Sequence, residues 1–203
     1  AMIKLVLTCA FGLVACGGKL PETRFYQLAP PVTPPAKPAT DDVTLALENF
    51  ETDAGYDDER IIYRTTPYRL DYYQYHRWSA APGVIVGNFL EQSFEKSGLF
   101  TNVSRDSEHA SASLRGRVIA MEEVDRSKTQ WHGRLVLELA LVDPKTSETL
   151  WSEQFEEIEP LRTQSPEGLA EALSIAMTRI ANRATPAIAD HARRRAQLTA
   201  RTQ

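Results

Sequence analysis

The side chains best suited to acid–base catalysis or metal binding in this sequence are four histidines. They lie in four different predicted elements, at His76, His109, His132 and His191. Catalytic and metal-binding histidines often follow close spacings such as HExxH, and no such spacing occurs here. The sequence also lacks the Gly-x-Ser-x-Gly nucleophile motif and the Gly-x-x-x-x-Gly-Lys phosphate loop. It therefore predicts no catalytic residue and no metal site.

Grouped carboxylates are a second candidate for chemistry, because two nearby acids can divide the roles of general acid and base. They occur as one pair and one cluster, Glu122 with Glu123, and Glu156, Glu157 and Glu159. The first pair is predicted at a strand end and the second group in a polar segment. Solvated charge is the expected state of carboxylates in such places. We therefore expect no enzymatic activity.

Cys16 is the residue with the most clearly predicted chemistry. Lys4 and the mostly apolar residues 5–14 have the pattern of a secretory signal, which is too short to span a bilayer. The run ends in Leu13-Val14-Ala15-Cys16-Gly17, which resembles the lipobox of bacterial lipoproteins. The resemblance implies diacylglycerol on the Cys16 thiol, cleavage after Ala15 and N-acylation of the new terminus. Two or three acyl chains make a stable anchor.

Cys9 is the alternative lipidation site, but it would shorten the apolar run to residues 3–8 and put Thr8 at the small-residue position. A plain secretory signal or a buried N-terminal helix also stays open. In lipoprotein sorting, an Asp after the lipidated cysteine retains a protein in the inner membrane. Because Gly17 occupies that position, we expect the protein to be anchored on the periplasmic face of the outer membrane. If Cys9 is removed with the signal, the lipidated Cys16 is the one cysteine left, so the mature chain would form no internal disulfide.

The rest of the chain has the size and composition of one folded domain. Removal of residues 1–15 leaves 188 residues with a net charge of about −5, which gives no indication of nucleic-acid binding. The whole-chain hydrophobic share of 42% is ordinary for a soluble domain. No second apolar run in the sequence approaches membrane length.

Residues 16–42 are predicted to be the lipidated cysteine followed by a Pro-rich tether. Five prolines between residues 30 and 38 favour extended polyproline geometry, which at ~3 Å per residue could span tens of ångströms. A disordered leader with no set reach fits the composition equally well. Within this segment, residues 25–28 alternate apolar and polar side chains and predict a short edge strand.

Residues 43–185 have the patterns of a single α+β domain. Alternation at period two predicts strands over residues 43–50, 100–104, 114–120, 131–142 and 150–155, and a hairpin over residues 61–75 that turns at residues 65–67. Pro82 and Gly98 bracket one predicted helix, and a second begins at Ser165-Pro166. Pro186 is expected to break or kink it, leaving residues 186–203 as a basic helical extension or solvated tail. The predicted fold is a mostly antiparallel sheet with both helices packed on one face.

Aromatic side chains are concentrated in the hairpin, at Tyr68, Tyr72, Tyr73, Tyr75 and Trp78. Tyrosine combines apolar area with a polar tip, which suits protein interfaces and lipid-adjacent walls. In one continuous strand, Tyr73 and Tyr75 share a face while Tyr68 and Tyr72 share the other. Exposure to a partner and burial between a helix and an edge loop explain this pattern equally well. These five residues are the candidate partner-facing or lipid-facing residues.

Several short motifs occur in a characteristic order. After the lipobox come Phe-Tyr-x-Leu at residues 25–28, Ile-x-Tyr-Arg at residues 61–64 and Tyr-x-x-x-Arg-Trp at residues 73–78, and then Pro82 opens an apolar helix that ends at Gly98. This order and spacing resemble the ABC-type transport auxiliary lipoprotein family of the PqiC-like kind. The resemblance runs from the signal to the last helix.

The resemblance implies a non-catalytic component of an envelope lipid transporter that works with an MCE-domain protein and an inner-membrane ABC permease and ATPase. PqiC-like members are similar to ring-forming proteins beneath the outer membrane, so a homo-oligomeric ring is expected. No cofactor is implied beyond the diacylglycerol and N-acyl chain on Cys16. Two alternatives are a periplasmic carrier that encloses an acyl chain between the sheet and the long helix, and an envelope hydrolase.

Overall fold

A computed structural model describes residues 21–32, 36 and 43–202. In these residues the strands are β1 (Arg24–Tyr26), β2 (Thr44–Leu47), β3 (Glu51–Thr52), β4 (Arg60–Thr66), β5 (Arg69–Trp78), β6 (Asn102–Ser104), β7 (Ala112–Ser127), β8 (Gln130–Val142) and β9 (Thr149–Pro160). The helices are α1 (Pro82–Ser97) and α2 (Pro166–Thr202). The predicted signal segment, its cleavage position Ala15 and the lipidation site Cys16 lie outside the described residues.

All the described strands join one sheet that is built around β7. On one side of β7, strands β2, β3 and β4 pair with it in parallel at successive positions. On the other side, β8 pairs with β7 and β9 with β8, both antiparallel, as expected for the mostly antiparallel sheet predicted from the sequence. Strand β5 continues the sheet beyond β4, and β1 lies parallel to β5 at that edge. The α+β prediction is confirmed, with a mixed sheet whose longest ladders are antiparallel.

Both helices cover the same face of this sheet. Leu135, Leu137, Leu139 and Leu141 alternate along β8 and belong to one core with Phe89 of α1 and Leu173 of α2. A smaller cluster on the opposite face, which we call the open face, consists of Tyr56, Ile62, Ala120 and Val136. Helix α1 has Pro82 in its first turn and ends at Gly98, whose φ of 67° is the left-handed conformation that glycine adopts freely, as predicted.

Helix α2 runs through Pro186 to Thr202, so Pro186 does not break it, and of the two forms expected for residues 186–203 the described part has the helical extension. A proline inside a helix costs roughly 3 kcal/mol, but the packing beyond it compensates, because Ile188, Ala189 and Ala192 are buried. The basic end is not wholly solvated either, since the Arg195 guanidinium donates to the carboxylate of Asp143 in the β8–β9 turn. Among the described residues, neither helix combines the length and apolar composition that a membrane crossing needs.

The described part of the predicted tether packs against the domain. Strand β1 belongs to the sheet, and Leu28, which follows it, is buried. The backbone N–H of Ala29 donates to the Ser174 hydroxyl of α2 at 3.1 Å. Further along, the Ala36 N–H donates to the Lys96 carbonyl of α1 at 3.0 Å. The described residues between β1 and β2 therefore contact both helices, and the predicted edge strand at residues 25–28 is present over Arg24–Tyr26.

Candidate functional site: the aromatic hairpin and the carboxylates behind it

The hairpin of β4 and β5 turns at Pro67 and Tyr68, slightly later than the sequence predicted. Tyr68 therefore sits in the turn, where it is 96% exposed, and does not share a strand face with Tyr72. The turn is fixed to the sheet, because Nη1 of Arg64 donates to the Pro67 carbonyl at 3.1 Å. The most exposed aromatic ring of the hairpin is thus presented on a braced turn.

The other four aromatic candidates do not form one surface with Tyr68. Tyr72 lies on the open face, 39% exposed, with the guanidinium of Arg60 4.1 Å from its ring centroid. Tyr73 and Tyr75 are half-buried. Trp78 is 1% exposed and belongs to the main core, so it offers no surface to a partner. The structure brings together Tyr73, Tyr63 and His76 in ring contact, with the Tyr73 centroid 5.0 Å from that of Tyr63 and 5.6 Å from that of His76.

Glu122 and Glu123 lie inside β7 and are fully buried, so the prediction of solvated charge at a strand end is wrong. Strand β7 continues to Ser127, so both residues lie in its interior, and a bulge between Val118 and Ala120 decides which face each of them occupies. A bulge adds one residue to a strand and shifts all later side chains to the other face. Glu122 consequently points to the open face and Glu123 to the helix-covered face.

Glu122 is surrounded by donors on the open face. Nε of Arg64 donates to its Oε2 at 2.7 Å, the Tyr56 hydroxyl donates to the same oxygen at 2.8 Å, and Nη1 of Arg134 donates to Oε1 at 2.9 Å. Arg64 also donates to the Tyr56 hydroxyl, and Arg134 donates to Glu156. A fully buried carboxylate is tolerated only with such compensation.

These contacts change the proton affinities of the partners in the direction that keeps the network intact. Burial, reinforced by the hydrogen bond to Glu122, raises the pKa of Tyr56 to about 12. Burial alone would lower the pKa of Arg64, but its hydrogen bond to Glu122 raises it above its ordinary value. Beside this network lies a cavity of about 480 Å³ whose lining includes Pro67, Arg126 and Arg134. These hydrogen bonds and ion pairs link β4, β7, β8 and the hairpin turn, and the cavity beside them is lined mostly by polar side chains.

Glu123 has different surroundings on the helix-covered face. The Tyr73 hydroxyl donates to its Oε1 at 2.7 Å, whereas Oε2 and the Oδ1 of Asp125 are buried without a protein partner. Burial, together with the charge of Asp125, raises the pKa of Glu123 to about 7. Burial likewise raises the pKa of Asp125. Both shifts favour the protonated form of these acids, as burial without a full set of donors requires.

The second acidic group also differs from its prediction. Glu156, Glu157 and Glu159 lie in β9, which extends to Pro160. Glu159 pairs with Arg179 of α2 at 2.6 Å, and Glu157 pairs with Arg183 at 3.0 Å. Glu157 and Glu159 therefore attach the long helix to the sheet, whereas Glu156 pairs with Arg134 of β8 at 2.8 Å.

The four histidines occupy separate elements, as the sequence indicated. His76 is in β5, where its Nδ1 and the Tyr26 hydroxyl are 2.8 Å apart. His109 precedes β7, His132 is in β8 and His191 is in α2. Within residues 21–32, 36 and 43–202, no three metal-binding side chains converge.

The sequence did not point to Tyr56 and Arg134, the two donors to Glu122 that lie outside the quoted motifs. An available signal was Arg134 itself, a charged residue within a strongly apolar predicted strand, opposite a carboxylate pair in the preceding strand. Tyr56 lies in a loop and carries no comparable signal.

The fold and this site define a class: an α+β domain with a two-helix layer on one sheet face and a braced aromatic hairpin at its edge. Residues 26–184 match the sequence model of a protein family described as the ABC-type transport auxiliary lipoprotein component. The chain belongs to this family, whose members are lipoproteins of the cell envelope.

Solved structures support the fold. A Xanthomonas campestris protein of the family-model DUF330 has a TM-score of 0.74 and 20% identity, covering 86% of this chain and 99% of that one. An uncharacterized protein has a TM-score of 0.68 and 10% identity, covering 83% of this chain and 99% of that one. At these identities the likeness concerns the fold alone. No curated protein matches the sequence.

Proposed function

We propose that this chain is a non-catalytic lipoprotein of the outer membrane, anchored through Cys16 after cleavage behind Ala15, that serves an ABC/MCE-type lipid transport system on the periplasmic side. The observation that carries the proposal is the family match over residues 26–184. Gly17, rather than Asp, after the lipidated cysteine supports the outer membrane over the inner one.

The state of the charged groups supports binding and positioning rather than catalysis. Both oxygens of Glu122 already accept from cationic or phenolic donors, and Glu157 and Glu159 are paired with α2. Catalysis of hydrolysis would need a positioned nucleophile or base that is free to reach a substrate. These carboxylates instead hold strands and helix together.

The partners in the proposal are an MCE-domain protein and the inner-membrane permease and ATPase, with a homo-oligomeric ring at the outer-membrane end. The open face of the sheet suits a protein partner because it presents charged and aromatic side chains. It presents Tyr72 together with the exposed pairs Arg115–Glu48 and Arg117–Asp53. Such polar, aromatic surfaces are typical of non-obligate interfaces.

The anchor is tested by Cys16→Ser in cells labelled with radioactive palmitate. We expect loss of the label and release of the protein into the soluble fraction, while Cys9→Ser keeps both label and membrane association. Labelling that persists in Cys16→Ser and disappears in Cys9→Ser would place the anchor at the other cysteine.

The transport role is tested by co-purification of the lipidated protein with the MCE-domain protein encoded in the same cell, and by the mass of the purified assembly. We expect a stable complex and a closed oligomer. A monomer that binds no MCE-domain protein would contradict the proposal.

Bound lipid distinguishes the carrier alternative from the proposed role. The space between sheet and helices is filled by the main core, including Phe89, Leu137 and Leu173, so an acyl chain could enter only if the helices moved away. Native mass spectrometry of the soluble domain is expected to show no bound lipid. Stoichiometric phospholipid would favour a carrier, and substrate turnover abolished by one side-chain change would favour a hydrolase.

A further inference from the structure

The direction of β1 indicates where the membrane anchor enters the domain. Strand β1 runs parallel to β5, with Arg24 beside His76 and Tyr26 beside Trp78. Strand β5 begins immediately after the turn at Pro67 and Tyr68. The chain therefore enters β1 from the side of the sheet on which this turn lies.

The length of chain before β1 fits the distance to that turn. Cys16 precedes Arg24 by eight residues, which span at most about 28 Å when fully extended. From Arg69 to His76 the strand advances seven residues, or roughly 23 Å. An anchor at Cys16 can thus lie level with the hairpin turn, with little slack.

Two turns lie at this end of the sheet, together with the connection from β9 to α2, where Nε2 of Gln164 donates to the Lys128 carbonyl at 3.0 Å. Strands β4 and β7 run parallel, with Tyr63 beside Glu123, so the β4–β5 turn and the turn after Ser127 lie at the same end. We call this end the turn end. Its exposed side chains include Tyr68, Arg126 and Lys128. Tyrosine is enriched at the headgroup level of bilayers, and cationic side chains are attracted to lipid phosphates.

The buried network gives this end the rigidity that a surface contact needs. Arg64 holds the Pro67 carbonyl while it is itself bound to Glu122. Tyr68 therefore follows the sheet instead of moving independently. At the opposite end, the β8–β9 turn over residues 143–148 contains the exposed Lys145 but no aromatic residue. Cationic side chains occur at both ends, so the exposed ring of Tyr68 is what distinguishes the turn end.

We propose that the turn end rests on the lipid bilayer that holds the anchor, with Tyr68 at the headgroup level and Arg126 and Lys128 against lipid phosphates. The β8–β9 turn and the C-terminal part of α2 then point into the periplasm, toward the transport partner. This orientation rests on the anchor at Cys16 in the proposed function.

The test uses the full-length lipidated protein in vesicles of phosphatidylethanolamine and phosphatidylglycerol. Single thiols for nitroxide labelling are introduced by Tyr68→Cys at the turn end and by Thr146→Cys at the opposite end as the matched control. Both positions are exposed turn residues. We expect collisions with oxygen, relative to a water-soluble nickel complex, to rise several-fold at position 68 on vesicle binding and to stay unchanged at position 146.

The outcomes separate the orientation from the anchor. If the protein floats with vesicles but the two labels give equal values, or position 146 is the one that enters the lipid, the orientation is overturned while the anchor stands. If the protein does not float with vesicles, the anchor itself fails and the orientation fails with it. Vesicle binding with the change confined to position 68 supports both.

Discussion

At the scale of single residues, two adjacent carboxylates in β7 have opposite environments. Glu122 accepts hydrogen bonds from two guanidinium groups and a phenol, whereas Glu123 accepts one from Tyr73 and lies beside a second acid. A buried ion pair is weak evidence for net stability, but removing one partner is costly. The two residues should therefore respond differently to substitution.

For Glu122, loss of Arg64 is the informative change. In Arg64→Ala the fully buried carboxylate loses its 2.7 Å partner and keeps only Arg134 and Tyr56, so we expect the free energy of unfolding to fall by about 3 kcal/mol. The control is Arg115→Ala on the same face, whose pair with Glu48 is largely exposed. It should cost at most about 1 kcal/mol. Urea unfolding of the soluble domain measures both; equal losses would contradict a stabilising role for the buried network.

For Glu123, the prediction concerns pH. Its pKa is raised from 4.5 to about 7 by burial, so between these values the unfolded chain has lost the proton that the folded protein keeps. Stability from this group is complete below pH 4.5 and is lost as pH rises through about 7. Glu123→Gln removes this loss. Its free energy of unfolding, relative to that of the native protein, should therefore rise by about 2 kcal/mol from pH 5 to pH 8.

The measurement for Glu123→Gln is the free energy of unfolding at the two pH values. Glu153→Gln serves as the control, because Glu153 is an exposed carboxylate in β9. It should show no comparable difference between the two pH values. A Glu123→Gln variant with the same pH dependence as the native protein would contradict the raised pKa.

The environments of these two acids could not be predicted from the sequence. Alternation along β7 assigns each residue to a face only while the register holds, and the bulge between Val118 and Ala120 reverses the assignment for all later residues. A bulge has no reliable sequence signature in a strand of ordinary composition. The anchor chemistry of Cys16, by contrast, is readable because signal recognition depends on local sequence, and it stays a prediction here.

At the scale of elements, predictions succeeded where local chemistry decides the outcome. Pro82 and Gly98 set both ends of α1 because each fixes its own backbone conformation. The parallel pairing of β1, β2, β3 and β4 was not foreseen, since a strand's residue pattern contains no information on the direction of its neighbour. Pro186 shows the reverse case, in which tertiary packing outweighs a strong local preference.

The continuity of α2 beyond Pro186 can be tested with one side chain. Ile188 is fully buried in the main core, so Ile188→Ala should lower the free energy of unfolding by about 2–4 kcal/mol. Arg194→Ala, which removes a largely exposed pair with Asp190, should change it by less than about 1 kcal/mol. If the chain beyond Pro186 were instead a solvated tail, the other form that the sequence left open, the two variants would be equally mild in thermal or urea unfolding.

At the scale of the whole molecule, the N-terminal segment has two roles that its composition did not separate. Its described part closes the sheet edge at β1 and then packs against α2 and α1. The Pro-rich composition predicted a spacer up to residue 42, because prolines that pack on a helix pair and prolines in a solvated tether look alike in sequence. The reach of the anchor then depends on the few residues before Arg24.

This arrangement predicts that the folding unit begins near β1 and not at residue 43. A soluble fragment of residues 21–203 contains the β1–β5 ladder, the Tyr26–His76 contact and buried Leu28. A fragment of residues 43–203 lacks them and exposes the core beneath Leu28, so it should be less stable by at least about 2 kcal/mol. Urea unfolding of the two fragments compares them directly. Equal midpoints for residues 21–203 and 43–203 would mean that the segment packs on the domain without stabilising it, and the full length of residues 16–42 would again be available as a tether.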